Sequence, residues 1–224
     1  MKIQKLTQAC LIIDNGSAKI AVDPGEMTPE FPTSVDENFV AVVFTHNHFD
    51  HYSVENLRAL FAKNPAIEVF ASTQTFAKIR EDFPDADFAK IHAVVSPETF
   101  IVGDFKFSFF GARHAHIIDG DDRGDNIGVV ISDDSESLVY PGDSFDLPSE
   151  IKFRENYILA LPTSGPWLKI GESVAYLREI SRKFGAPKYF FPTHDALNNA
   201  SANKIAKNYL DAEARIIKTI FREN

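Results

Sequence analysis

Thr45-His46-Asn47-His48-Phe49-Asp50-His51 places three histidines and an aspartate within six residues, 46–51. Immediately before it runs Phe39-Val40-Ala41-Val42-Val43-Phe44, an apolar stretch rich in Val and Phe. That run is short and β-branched, which reads as a buried strand rather than a helix. The ligand-type residues therefore begin where a core strand ends and the chain leaves a sheet toward a cleft. His46 and His48 are two apart, so in an extended segment they point the same way and can reach one metal ion. Asp50 and His51 leave the chain in different directions and can serve a neighbouring position. Imidazole and carboxylate are the donor types that zinc takes.

Working outward, residues 1–23 read as a β-meander. Ile3–Leu6, Ala9–Asp14 and Lys19–Asp23 are apolar runs, Asn15-Gly16 is a hairpin turn, and Asp23-Pro24-Gly25 closes the unit. Residues 26–38 read as a loop. Ser53–Lys63 has the pattern of a helix capped by Ser53, with Val54, Leu57, Leu60 and Phe61 on one face. Ile67–Ala71 and His92–Val95 read as strands around a helix at Thr73–Glu81. Phe100–Phe110 reads as two strands hinged at Gly103-Asp104, and 127–132 with 137–140 as a hairpin. A strand at Tyr157–Leu161, a helix at Glu172–Phe184 with Gly185 at its C-cap, and a strand at Tyr189–Phe191 follow. The last helix is expected over Ser201–Phe221, with Ile205, Tyr209, Ala212, Ile216 and Ile220 near helical spacing. Helices between strands, without a linker or repeat, suit sheets covered by helices in one domain spanning 1–224.

Three further positions repeat the setting of His46. His114 lies just past the 105–110 strand, Asp143 past the 137–140 strand in Gly142-Asp143-Ser144, and His194 past the 189–191 strand. Four strand ends would then deliver ligands to one rim. The set resembles the metallo-β-lactamase superfamily: an H-x-H-x-D-H segment, a later His, an Asp in a G-D-[ST] segment and a final His. Asp23-Pro24-Gly25 and Leu161-Pro162 also match, and the length resembles the stand-alone branch that includes the ascorbate-6-phosphate lactonase-like proteins.

The resemblance implies an α/β (α+β) fold, a four-layer αββα sandwich of two mixed sheets with helices on the outer faces. It implies that His46, His48 and His114 bind one metal, Asp50, His51 and His194 the other, and that Asp143 bridges. His116 competes with His114, which is preferred because it is closer to the strand end. Two divalent ions, zinc first with Mn2+ or Fe2+ as alternatives, roughly 3.5–4 Å apart would share a water and lower its pKa. The expected activity is hydrolysis of a small ester, lactone or phosphoester by a metal-bridging hydroxide, with Asp50 or Asp143 orienting the nucleophile and accepting its proton. Ser164, Trp167, Lys169 and His116 are the candidate substrate contacts, with the 117–125 loop second; Asp195 reads either as a partner to a metal-bound imidazole or as a helix N-cap.

Composition narrows the alternatives. The chain has 224 residues, a net charge of −9 and one cysteine, Cys10. The acidic balance disfavours a nucleic-acid partner, because phosphate binding relies on Lys and Arg. This weighs against a nuclease-type phosphodiesterase of the same superfamily. A redox or thiol-linked member is disfavoured by the intact His48 and by Tyr52-Ser53 after Asp50-His51, and the full ligand set speaks against a non-catalytic metal-binding protein. No internal disulfide is available, no stretch approaches a membrane span, and the expectation is a cytoplasmic protein.

Overall fold

The computed structural model describes residues 1–118, 122–196, 204 and 206–214. Twelve named strands form two six-stranded mixed sheets. The first sheet runs in chain order: β1 (Lys2–Lys5), β2 (Leu11–Asp14), β3 (Lys19–Val22), β4 (Phe39–Phe44), β5 (Glu68–Ala71) and β6 (Ile91–Ala93). Its β1–β2 and β2–β3 pairs are antiparallel, and the pairs from β3 to β6 are parallel. The second sheet contains β7 (Thr99–Val102), β8 (Phe105–Phe110), β9 (Gly128–Ser132), β10 (Ser137–Tyr140), β11 (Ile158–Pro162) and β12 (Tyr189–Thr193). Pairs from β7 to β10 are antiparallel, and β10–β11 and β11–β12 are parallel.

Side-chain alternation explains the layering. In the first sheet the row Ile13, Ile20 and Ala41, with Val22, Val43 and Phe70, faces the second sheet. Phe107, Ile131, Leu138 and Ile158 form the matching row of the second sheet, so both rows meet in one buried cluster. The alternate residues point outward. Ile12, Ala21, Val42 and Val69 pack under α2 (Val54–Lys63) and α3 (Thr73–Asp82), through Leu57, Leu60 and Ile79. Val130, Val139 and Leu159 pack under α4 (Ile170–Phe184), through Tyr176, Leu177 and Ile180. The architecture is the αββα sandwich expected above.

Several boundaries differ from the reading of the sequence. The 26–38 loop contains one helical turn, α1 (Phe31–Ser34), because Phe31 is wholly buried beside Phe39. Helix α4 starts at Ile170 rather than Glu172, and β12 runs on to Thr193, held parallel to Pro162. Residues 206–214 are helical, but the buried positions are Ala206, Leu210 and Glu213. Tyr209 and Ala212 face outward, one residue off the expected face, because Leu210 fills the α4-side core and Glu213 accepts from Arg178 at 2.5 and 2.7 Å. Ile205, Ile216 and Ile220 lie outside the described residues, as does most of the 201–221 span. Among the described residues, no helix is long and apolar enough to cross a membrane.

Phe107 sits wholly buried between the sheets, whereas Ile101 on the edge strand β7 is 74% exposed. Phe107→Ala should lower the unfolding free energy by about 3–5 kcal/mol. Ile101→Ala should change it by less than about 0.5 kcal/mol. Urea denaturation of both variants checks the pair.

Candidate metal centre

Side chains from five strand ends converge at one edge of the sandwich: Asp23 after β3, Thr45 to His51 after β4, His114 after β8, Asp143 after β10 and His194 after β12. Two glycines allow the approach. A Cβ on Gly25 would lie 2.1 Å from the Asp50 backbone carbon, so the Asp23-Pro24-Gly25 turn rests directly on the histidine segment. A Cβ on Gly142, at φ +64, would lie 2.4 Å from Asn126 Oδ1. Asn126 in turn accepts from Asp143 N–H at 2.9 Å and donates to the Pro141 carbonyl at 2.9 Å, which fixes the turn carrying Asp143. Among the described residues, the non-glycine positions at positive φ are Gln8 (+60), Asp23 (+46) and His194 (+55). Such backbone costs an ordinary residue about 1–2 kcal/mol, and all three belong to this edge.

Three donor trios have ligand atoms within 4.8 Å of one another: His46, His48 and His114; His46, His51 and Asp143; Asp50, His51 and His194. Asp143 links the first and third. Its Oδ2 is 3.3 Å from His114 Nε2, 3.1 Å from His194 Nε2 and 3.9 Å from His46 Nε2, and its Oδ1 is 3.3 Å from His51 Nε2. Asp50 Oδ2 lies 2.8 Å from His194 Nε2.

The hydrogen-bond network assigns the tautomers. Thr45 donates its backbone N–H and its hydroxyl to Asp23, each at 2.7 Å. The Thr45 oxygen, 3.1 Å from His46 Nδ1, therefore accepts from that ring nitrogen. His51 Nδ1 donates to Asp23 Oδ2 at 2.8 Å, and His114 Nδ1 to the Ala115 carbonyl at 2.6 Å. In all three rings Nδ1 is held by its partner and Nε2 faces the centre, the arrangement that orients metal-binding imidazoles. His51 Nε2, His114 Nε2 and Asp143 Oδ1 are buried without an aligned hydrogen-bond partner. Orphaned donor atoms facing one space are what a bound cation would satisfy. The residues present fit divalent metal.

The charge balance agrees. Burial, and then His51, hold the His46 imidazole well below its ordinary pKa. Burial and the neighbouring His114 push His48 down to about 4. Burial works against charge on His51 and His194 too, but Asp143 and Asp23 hold His51 well above its ordinary value, and Asp143 with Asp50 raises His194 to about 9. Burial also opposes ionisation of Asp50 and Asp143. The contact with His194 and the nearby His51 nevertheless hold Asp50 below the usual carboxylate range, and His51 and His194 do the same for Asp143. The edge thus carries anionic carboxylates set among imidazoles that compensate them.

The family model for the β-lactamase superfamily domain matches residues 18–164. The chain belongs to the metallo-β-lactamase superfamily. The Rv0786c protein of Mycobacterium tuberculosis is 29% identical over 199 residues, covering 88% of this chain and 85% of its own. The metallo-β-lactamase fold protein YhfI of Bacillus subtilis superposes with a TM-score of 0.63 at 20% identity, over 96% of this chain and 86% of that one. CmlA, a diiron β-hydroxylase of Streptomyces venezuelae, superposes with a TM-score of 0.69 at 16% identity, over 97% of this chain and 51% of that one.

Of the substrate contacts expected from sequence, Trp167 and Ser164 reach this superfamily site. Trp167 is buried edge-on to His114 and His194, with ring centroids 5.3 and 5.5 Å away. The Ser164 hydroxyl donates to the His194 carbonyl. His116 and Lys169 are exposed, and Lys169 opens α4. His114, not His116, is the residue in the donor trio. Asp195 pairs with Lys5 at 2.7 Å. Of the 117–125 loop, residues 119–121 lie outside the described residues. Sequence reasoning saw Asp23 only as part of a turn and missed Thr45, Asn126 and Gln8 as supports. Asp23 had one signal, a carboxylate closing an apolar strand.

Asp23 accepts from Tyr140 as well, at 2.8 Å. Asp23→Asn removes the charge and turns an acceptor into a donor among donors. It should destabilise by about 3–5 kcal/mol, against about 1.5–3 kcal/mol for Tyr140→Phe, which deletes one bond. Chemical denaturation of the two variants measures the difference; equal losses would contradict Asp23 as the shared acceptor.

Proposed function

We propose that this protein is a zinc hydrolase holding two ions at the strand-end rim, and that it cleaves a small ester, lactone or phosphoester. One observation carries the reading: two donor trios that share no residue, with Asp143 within 3.3 Å of a histidine from each. His46, His48 and His114 would hold one ion, Asp50, His51 and His194 the other, with Asp143 reaching both. When bound, such a pair supplies a water of lowered pKa and polarises the carbonyl or phosphoryl oxygen under attack.

The remaining work falls to the chain. Asp50 or Asp143, both kept as carboxylates by their imidazole neighbours, accepts the proton of the nucleophile. Gln8 and Asp23 hold Asp50 and His51 in place from behind. Trp167 covers the edges of His114 and His194, which keeps bulk water from that side of the rim. Donors come from both sheets, between residues 46 and 194, which supports treating 1–224 as one functional domain. The net charge of −9 favours a small substrate over a nucleic acid. The free, buried Cys10 suits a reducing compartment such as the cytoplasm. Histidine and carboxylate donors also accept manganese and iron, so zinc is the member of that group to be tested first.

Metal analysis of the purified, fully loaded chain should find two ions. His48→Ala should lower ion content at the first position, and Asp143→Ala should weaken both. Each should reduce turnover by about 100-fold or more, beyond the effect of losing an outer-shell partner. A panel of bis-nitrophenyl phosphate, nitrophenyl esters, homoserine lactones and sugar lactones sorts the substrate class. A loaded protein that turned over none of them would contradict the hydrolytic reading in favour of metal binding alone.

A further inference from the structure

Among the described residues, the side chain that bonds to Asp50 from outside the donor set is that of Gln8. Gln8 Nε2 donates to Asp50 Oδ2 at 2.8 Å, and Gln8 Oε1 accepts from Ala196 N–H at 3.0 Å. The Gln8 backbone carbonyl accepts from His194 N–H at 3.1 Å. The Ala196 bond decides which end of the amide is which: its oxygen must face that N–H, so its NH2 group must face the carboxylate. One residue therefore holds the Asp50 side chain and the backbone on both sides of Asp195. Lys5, three residues earlier, pairs with Asp195 at 2.7 Å and ties the same two segments together again.

The location of Gln8 makes packing a poor explanation for it. The side chain is wholly buried yet polar, and it lies in the turn between β1 and β2 at φ +60, where glycine would be unstrained. A strained, buried amide persists where the surrounding structure uses it. Of the three residues it reaches, Asp50 and His194 belong to the same donor trio, and Ala196 follows His194 by two positions. The other trio, His46, His48 and His114, has its own supports in Thr45 and the Ala115 carbonyl.

We infer that Gln8 is a positioning residue for the second ion: it locks the Asp50 carboxylate and the His194 segment into one unit. The inference rests on the two-ion reading above. Removing the amide leaves the ligands of the first ion untouched but frees Asp50 to rotate and releases the Ala196 N–H, so that the His194 segment keeps only the bond to the Gln8 backbone carbonyl. The consequence is selective: the second ion weakens and the first does not.

The test is a Zn2+ titration of the metal-stripped full chain against a chromophoric chelator, alongside thermal melting. Gln8→Gly deletes the side chain and suits the left-handed backbone; Gln8→Leu deletes the donor and keeps much of the volume. In both, the affinity for the second ion should fall by about 10–100-fold, the effect of losing a support behind a ligand. The affinity for the first should stay within about twofold of wild type. His48→Ala should show the opposite pattern. Unchanged second-ion affinity in a folded Gln8→Gly chain would overturn the inference. So would equal weakening of both ions, or failure of both variants to fold, since each of these marks a general structural role. A wild-type chain that binds one ion removes the two-ion reading and this inference with it, and that result is visible before any variant is made.

Discussion

One buried carboxylate, Asp23, governs how the rest of the site is arranged. It is wholly buried and accepts four hydrogen bonds: two from Thr45, one from His51 and one from Tyr140. An unpaired charge at this depth would be strongly unfavourable, so its partners are fixed by necessity. Those partners lie on different elements. Thr45 and His51 follow β4 in the first sheet, and Tyr140 ends β10 in the second. The same carboxylate thus joins the sheets and sets two tautomers. It takes the Nδ1 proton of His51 directly, and by taking the Thr45 hydroxyl proton it leaves that oxygen to accept from His46. Both rings then present Nε2 toward Asp143.

The sandwich makes this arrangement rigid. Each sheet is buried on both faces along its central strands, so the strand ends cannot move independently of the core. Residues with unfavourable backbone are concentrated where the site is assembled, at Gln8, Asp23 and His194. Asn56, in the first turn of α2, donates to the Pro24 and Gly25 carbonyls, both at 2.9 Å, and so ties the Asp23 turn to the helix that follows the histidine segment. The site is held from the helix layer, from both sheets and from the β1–β2 turn at once.

Much of this was legible in the sequence, for a physical reason. The short apolar run 39–44 reads as a strand buried on both faces and the alternation of Phe105, Phe107 and Phe109 as a strand with one core face, and ligand-type residues directly after such strands lie at a sheet edge. That reasoning located His46, His48, Asp50, His51, His114, Asp143 and His194 at one rim. It could not locate their supports. Gln8 meets Asp50 across 42 residues and Ala196 across 188, and nothing local in a polar turn residue announces contacts so distant. Asn126 is similar, since its two bonds create the Asp143 turn only after β9 and β10 have paired. The face of the 206–214 helix was misjudged by one residue because Tyr209 and Leu210 are both apolar enough to be buried. Packing against α4 chose Leu210 and left the tyrosine in solvent.

The proposed rim, hinged on Asp143, holds two ions in two separate donor trios. Anomalous diffraction at the zinc edge, from crystals of the zinc-loaded chain, tests it directly. Two peaks are expected, one on each side of Asp143: the first beside His46, His48 and His114 and the second beside Asp50, His51 and His194. A single peak, or a second one away from Asp50 and His194, would contradict it.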